Sequence, residues 1–338
     1  MKIAAALAVA LISILPAAAL GQPAGDSGWE PRLRGGLEFT YDDNILFLSK
    51  SRISLFESGS APQRFRIVSV GDYVVSPWVS AAARAGDTEV GAGLQLSFYV
   101  RNSIKNYELV HPYIRHRFDR DNLLLVSYSW LRDGYAGEFT DPNSGSIQSV
   151  FYDVHSVTAR FVHRFSRAAI TTPRLGWRSR VYNHSQNDPR SYRGFEAGVA
   201  STLGPPEGLA FDLDLSFEDM AGPGRQSNYD VSFRRYSVEV GPVLRTPGRD
   251  VEFSLHYRYG IRRFTTANDP VADPGHAGRK DTSRQLHARA EYHFSRLLYG
   301  FGDYERQDFR TDIPALLLSE ESASYSRNAF TLGLTRRY

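Results

Sequence analysis

Apolar and polar residues take turns along most of this chain. In residues 251–261, Val251, Phe253, Leu255, Tyr257, Tyr259 and Ile261 fall on one side, and Glu252, Ser254, His256 and Arg258 on the other. A period of two is the mark of a half-buried strand. At roughly 11 residues, the segment has the length of a tilted strand crossing a bilayer. Residues 90–100, 209–217 and 286–294 repeat the pattern clearly. Weaker versions fall at 33–41, 75–83, 110–118, 124–130, 157–165, 173–181, 195–203, 236–244, 297–301 and 330–338. The pattern therefore predicts about 14 strands.

The connections between them alternate in length. Short ones carry turn-forming compositions: Ala85-Gly86-Asp87, Arg120-Asp121-Asn122, Ser166-Arg167, 204–208, Pro247-Gly248-Arg249 and Ser295-Arg296. Long ones are expected over 43–72, 133–149, 265–282 and 308–324, with shorter ones near 102–107, 183–191 and 219–228. Six short and seven longer connections keep one phase, as in membrane barrels with tight turns on one side and loops on the other. In hydrocarbon every backbone amide must be paired, so a spanning sheet has to close on itself. The predicted fold is all-β: a single transmembrane antiparallel up-and-down β-barrel.

The start of the chain changes the domain reading. Lys2, an apolar run to Leu15, Pro16 and Ala17-Ala18-Ala19 form a basic, then apolar, then small-residue series. This is the pattern of a secretory signal peptide, and its run is too short to span a bilayer as a helix. Residues 1–21 are read as that peptide, with cleavage after Ala19 and after Gly21 both fitting. A short periplasmic segment at 22–30 and the barrel at 31–338 follow. The sequence has no Cys, so neither disulfides nor thiolate chemistry are expected. Mean hydropathy is −0.36, which would suggest a water-soluble protein. A barrel escapes that test because half of each strand faces a polar interior. Aromatic residues make up 13%, which suits interfacial girdles. A net charge of +3 implies no nucleic-acid partner. Only Lys2, Lys50, Lys105 and Lys280 among the 40 basic residues are Lys. Either genome composition or an interior needing rigid donors would account for that.

The last residues, Phe330-Thr-Leu-Gly-Leu-Thr-Arg-Arg-Tyr338, resemble the C-terminal signal of bacterial outer-membrane β-barrels. Phe330, Leu332, Leu334 and Tyr338 match its alternate apolar positions and aromatic end; Arg336 departs from it. The resemblance implies the outer membrane as location, its lipid as surroundings and the barrel-assembly machinery as partner. The first strand, with Tyr41-Asp42-Asp43-Asn44-Ile45, resembles porin-like barrels associated with exopolysaccharide export loci. That implies a glycan or small solute as a further partner.

Candidate interior residues follow from parity. They are Arg34, Glu38 and Asp42; Arg174, Arg178 and Arg180; Asp212, Asp214 and Glu218; His256, Arg258 and Arg262; and His287, Arg289, Glu291 and His293. Basic side chains would each cost about 2–4 kcal/mol against lipid at midplane, so they are expected to line water or pair. Rings of such charges set selectivity in pores; side chains can also fill a small lumen. Asp42-Asp43-Asn44 suits hard-cation ligation or, more simply, a turn at a strand end. Glu291, His293 and Ser295 share a face, as do Asp153 and His155. Residues two apart on a strand lie about 6.6 Å apart, beyond reach for short side chains acting together. No catalytic, metal or cofactor site is therefore expected. The expected function is a porin-like channel for small hydrophilic solutes, with oligosaccharide passage or polysaccharide export as its finer form. A structural or assembly barrel with partner-binding loops, and a membrane-embedded hydrolase, are the alternatives.

Overall fold

The computed structural model describes residues 29–59, 66–140, 145–183, 190–223, 230–313 and 324–337. Residues 1–28, which include the expected signal peptide, and Tyr338 lie outside them. Fourteen strands run in order: β1 (Glu30–Asp42), β2 (Asp72–Ala85), β3 (Thr88–Tyr99), β4 (Tyr107–Arg117), β5 (Asn122–Thr140), β6 (Ile147–Ser166), β7 (Ala169–Tyr182), β8 (Tyr192–Leu203), β9 (Gly208–Ala221), β10 (Phe233–Arg245), β11 (Val251–Phe264), β12 (Lys280–His293), β13 (Leu298–Asp312) and β14 (Tyr325–Arg337). Each pairs antiparallel with its sequence neighbours, and β1 pairs with β14. The closing register sets Leu37 opposite Leu334, Phe39 opposite Leu332 and Tyr41 opposite Phe330. The sheet has no free edge, as a membrane-spanning sheet requires.

The short connections stay tight. Gly86, at φ 55, turns β2 into β3, a conformation that costs a residue without Cβ little. The long connections differ from expectation. Most of the described part of 133–149 is strand, not loop. β5 continues to Thr140 and β6 starts at Ile147, giving strands of 19 and 20 residues. Register shifts between Leu131 and Gly134 and between Tyr135 and Gly137 change the side-chain parity there. Asp133 at φ 60 and Gly137 at φ 136 mark these irregularities. The alternation fades while the pairing continues. β13 likewise extends to Asp312, through the first five residues of the expected 308–324 loop, and β12 starts at Lys280.

The first long connection contains helix α1 (Lys50–Glu57), capped by the Ser49 hydroxyl, which accepts from Arg52 N at 3.3 Å. Its approach is fixed by Asn44, which is 1% exposed. The Asn44 amide donates to Leu48 O and Ser326 O at 2.8 and 2.9 Å and accepts from Leu48 N at 2.9 Å. Asn102 joins this loop to the next one. It accepts from Val68 N at 2.6 Å and donates to Asp72 Oδ2 at 2.7 Å.

Lys105, in the 3-10 turn Ser103–Lys105, completes that junction. Its ammonium donates to Ile45 O at 2.8 Å and lies about 6 Å from the Tyr99 and Tyr135 rings. Desolvation pushes its pKa down to about 8. A folded-state value below that of the open chain means the packed mouth is penalised most at pH values below 8. The penalty is relieved as pH rises from about 8 toward the open-state value. Backbone hydrogen exchange at Ile45 and Lys105 is therefore expected to slow severalfold between pH 7.5 and 9.5, after correction for intrinsic rates. Lys105→Met should flatten this dependence; an equal slope in both proteins would contradict the assignment.

The lumen as candidate functional site

Parity sorts the barrel wall into two surfaces. Outside lie Phe39, Leu94, Leu175, Phe195, Leu213, Leu215, Tyr257, Phe330 and Leu332, with Leu332 67% exposed. Their partners across each ladder share that face, so apolar rows run around the sheet: Leu215 faces Val238, which faces Tyr259. A closed sheet with an apolar outer belt and charged inner positions has water inside and oil outside. The protein is an outer-membrane β-barrel.

All sixteen candidate residues lie on the inner face of this barrel. At the closing seam of β1 and β14, Arg34 sits opposite Arg337 and Glu38 opposite Gly333. Arg174 makes a bidentate pair with Asp214, the longer contact being 2.7 Å. Arg178 meets Glu196 at 2.8 Å and Glu218 at 3.7 Å, and Arg235 also reaches Glu218 at 3.7 Å. Arg258 pairs with Glu239. A cavity of about 630 Å³ is lined by these arginines, by Glu196, Asp214 and Glu218, and by Arg160. Arg160 has no carboxylate partner among the described residues.

Nearer the short-turn end, His256 meets Asp212 at 3.3 Å and His287 meets Asp303. Arg289 meets Glu291 at 3.0 Å, and Glu291 also meets His293 at 2.8 Å. At the loop end, Arg327 bridges Asp42 and Glu305 at 2.8 Å each, while Arg262 reaches Asp281 at 3.8 Å. Among the described residues, every ion pair between inner strand positions lies within one strand or joins strands one or two places apart. The pairs run along the wall, and none crosses the lumen. With about 4.8 Å between strands tilted at about 40°, fourteen strands close at a backbone radius of about 14 Å, too wide for opposite arginines to meet.

The inner wall is two-sided. β7 to β14 carry the charged network. Opposite them, β2 to β6 present mostly Ser76, Ser80, Gly91, Gly93, Gln95, Leu109, Ser127, Leu125 and Leu131 inward, by the ladder registers, with fewer charges, among them Glu89, Arg115 and Arg160. That apolar share of the inner face explains the weak alternation of β4 to β6.

Parity also missed an inner aromatic collar at the loop end. Tyr152 packs on Tyr182 at 5.7 Å, Tyr192 on Phe233 at 5.5 Å, and Phe309 on Tyr325 at 5.0 Å. The Arg180 guanidinium lies 4.6 Å from the Tyr152 ring centre and 5.2 Å from that of Tyr192, and Arg262 lies 4.7 Å from that of Phe233. Such cation–π contacts hold Arg180, which has no carboxylate in ion-pair contact among the described residues, and add to the Asp281 contact of Arg262. The signal was present, since these aromatics occupy inward parity at strand ends.

The remaining motifs are engaged locally. Asp43 accepts from Asn328 N and Nδ2 at 2.7 Å each, and Asp42 accepts from Asn44 N at 3.0 Å. Ser295 Oγ accepts from Leu297 N and Leu298 N and so serves a turn. Asp153 and His155 face outward: Trp130 Nε1 donates to Asp153 at 3.2 Å, and His155 Nδ1 lies 2.7 Å from the Tyr128 hydroxyl.

No family model matches the chain, and no curated relative matches it. Among solved structures it is similar to the outer-membrane channel DcaP of Acinetobacter baumannii, at 12% identity and TM-score 0.49, covering 94% of this chain and 100% of that one. It is also similar to a TodX monoaromatic hydrocarbon channel mutant, at 10% identity and TM-score 0.48, covering 91% and 90%. An anion-selective porin from Comamonas acidovorans aligns at 8% identity and TM-score 0.43, covering 92% and 100%. These likenesses are distant, and the assignment of the barrel rests on its closed sheet and sorted faces.

Proposed function

We propose that this barrel is a porin-like channel for small hydrophilic solutes. The observation that carries the reading is the sideways pairing of the inner charges, which leaves the described part of the lumen without an ion pair across it. Dense fixed charges on one wall and a more sparsely charged, partly apolar wall opposite suit a solute with hydroxyls or charge on one side and C–H groups on the other. Oligosaccharides have that chemistry, and their passage, or a part in polysaccharide export, is the finer form of the reading. The sixteen inner residues named above are its proposed lining.

Swelling of liposomes containing purified protein tests it. Mono- and disaccharides are expected to enter at rates that fall with solute size. Rates equal to protein-free liposomes for every sugar would defeat the channel reading. The long β5–β6 hairpin favours a second reading, a barrel whose loops bind a partner. It extends about 20 Å past Leu131, counted at about 3.3 Å per residue. Trimming that hairpin should abolish partner capture if this reading holds and leave sugar entry intact if the channel reading holds. Assembly through the final strand, ending in Phe330, Leu332, Leu334 and Tyr338, is part of both.

A further inference from the structure

The outer surface carries a second charged feature, separate from the lumen. Above the apolar belt at the loop end, Arg193, Arg234, Arg263, Lys280, Arg284 and Arg310 all point outward by ladder parity. Three of them form a row on consecutive strands, Arg234 opposite Arg263 and Arg263 opposite Lys280. Asp219 flanks this row next to Arg234, and Asp312 next to Lys280. Two residues nearer the belt Arg310 stands opposite Thr282, and two further on Arg284 stands between Tyr259 and Asp308, an acid whose ion pair is with Arg306. Tyr236, Tyr257 and Tyr259 lie directly below or beside them, at the level where amphipathic rings mark the edge of the hydrocarbon.

Like charges directly opposite each other on a sheet repel. Arg234 has an acid nearby, Asp219 at 3.3 Å. Arg193, Arg263, Lys280, Arg284 and Arg310 have no ion-pair partner among the described residues. Several cations held side by side at a lipid boundary call for an anionic headgroup. The two ends of the barrel decide which leaflet supplies it. At the opposite, short-turn end, the outward positions of β8 to β13 are Leu203, Leu209, Leu244, Val251, Phe253, Tyr292 and Leu298, with no Lys or Arg. In an outer membrane the phosphorylated glycolipid occupies the outer leaflet only, and that is the leaflet at the loop end.

We propose that the outward face of β8 and β10–β13 binds the phosphate groups of the outer-leaflet glycolipid, with Arg263, Lys280 and Arg284 as the core of the site. Guanidinium forks take phosphate oxygens two at a time, and the row spacing of about 4.8 Å lets neighbouring strands share one phosphate. Bound glycolipid would offset the repulsion along the row and fix the depth of this side of the barrel in the membrane.

The experiment uses the full-length folded protein in detergent and two probes, lipid A bearing both phosphates and the same lipid A with its phosphates removed. The wild type is expected to bind the phosphorylated lipid roughly tenfold or more tighter. In the triple variant Arg263→Gln, Lys280→Gln, Arg284→Gln that difference should collapse to about twofold or less. Arg336→Gln, also outward-facing but at the short-turn end, should keep the full difference. A wild type that binds both lipids alike, or a triple variant that still discriminates as the wild type does, would overturn the proposal. The wild-type comparison stands even if the triple variant folds poorly.

Discussion

Gly241→Val is expected to leave no folded barrel. Gly241 lies on the inner face of β10, where the register with β11 passes from Val240–Tyr257 to Val243–Ser254. A Cβ at this position would stand 2.0 Å from Leu255 O and 2.7 Å from His256 Cα. Both are backbone atoms, so no rotamer change relieves the clash. Pro242 follows and offers no amide hydrogen. In an open sheet β11 would swing away. In a closed one, moving β11 strains its ladder with β12 as well. Overpacking alone costs about 1–3 kcal/mol, and each backbone amide unpaired in lipid adds several more. Heat-modifiable mobility on SDS gels is the readout: the folded band should disappear in Gly241→Val and weaken in Gly241→Ala. Gly302→Ala should fold normally, since the nearest atom to its added Cβ is Leu332 Cδ2 at 3.6 Å. A folded band of wild-type intensity in Gly241→Val would contradict the close approach of β10 and β11.

Neutralising Glu196 and Glu218 together should turn the lumen strongly toward anions. The two stand directly opposite each other on β8 and β9. Between them they hold Arg178, and Glu218 also approaches Arg235. Their repulsion is tolerated because these guanidinium groups lie beside them. The double Gln variant keeps the shapes, removes that repulsion, and leaves Arg178 without either carboxylate and Arg235 without Glu218. With Arg160 already unpaired, the cavity wall gains two units of positive charge. Fixed charges in a narrow aqueous path act at short range and moderate dielectric, so a shift of roughly fivefold to tenfold in the chloride-to-potassium permeability ratio is expected. Reversal potentials in a potassium chloride gradient measure it. A conducting variant with an unchanged ratio would show that these groups do not line the ion path. A wild type without conductance would instead remove the channel reading itself.

The fold was legible wherever one face was uniformly apolar and the other polar. β11 shows this in Phe253, Leu255 and Tyr257 against Ser254, His256 and Arg258, and β9 in Leu213 and Leu215 against Asp212 and Asp214. Interior candidates were legible for the same reason, since parity alone decides which side a strand residue takes. Legibility failed for three physical causes. Leu109, Leu125 and Leu131 face inward, so β4 to β6 lose contrast between their faces. The irregularities after Leu131 shift parity midway along β5, and the alternation misreads a hairpin as a loop. The Arg–aromatic collar sits at strand ends that the alternation drew too short, so Tyr152, Tyr192 and Phe233 were never assigned a side. Which charges pair with which was beyond the sequence as well. Arg174 and Asp214 sit on strands two places apart, and only the closed register brings them together.

One labelling experiment bears most directly on the whole account, because the chain contains no cysteine and single thiols can be introduced cleanly. Leu213→Cys, Asp214→Cys and Leu215→Cys should be tested in intact membranes with a water-soluble maleimide too polar to cross lipid. The expected result is rapid modification at 214 and protection at 213 and 215. Equal labelling at all three positions, or labelling of 213 and 215 with 214 protected, would contradict a barrel with water inside and lipid outside.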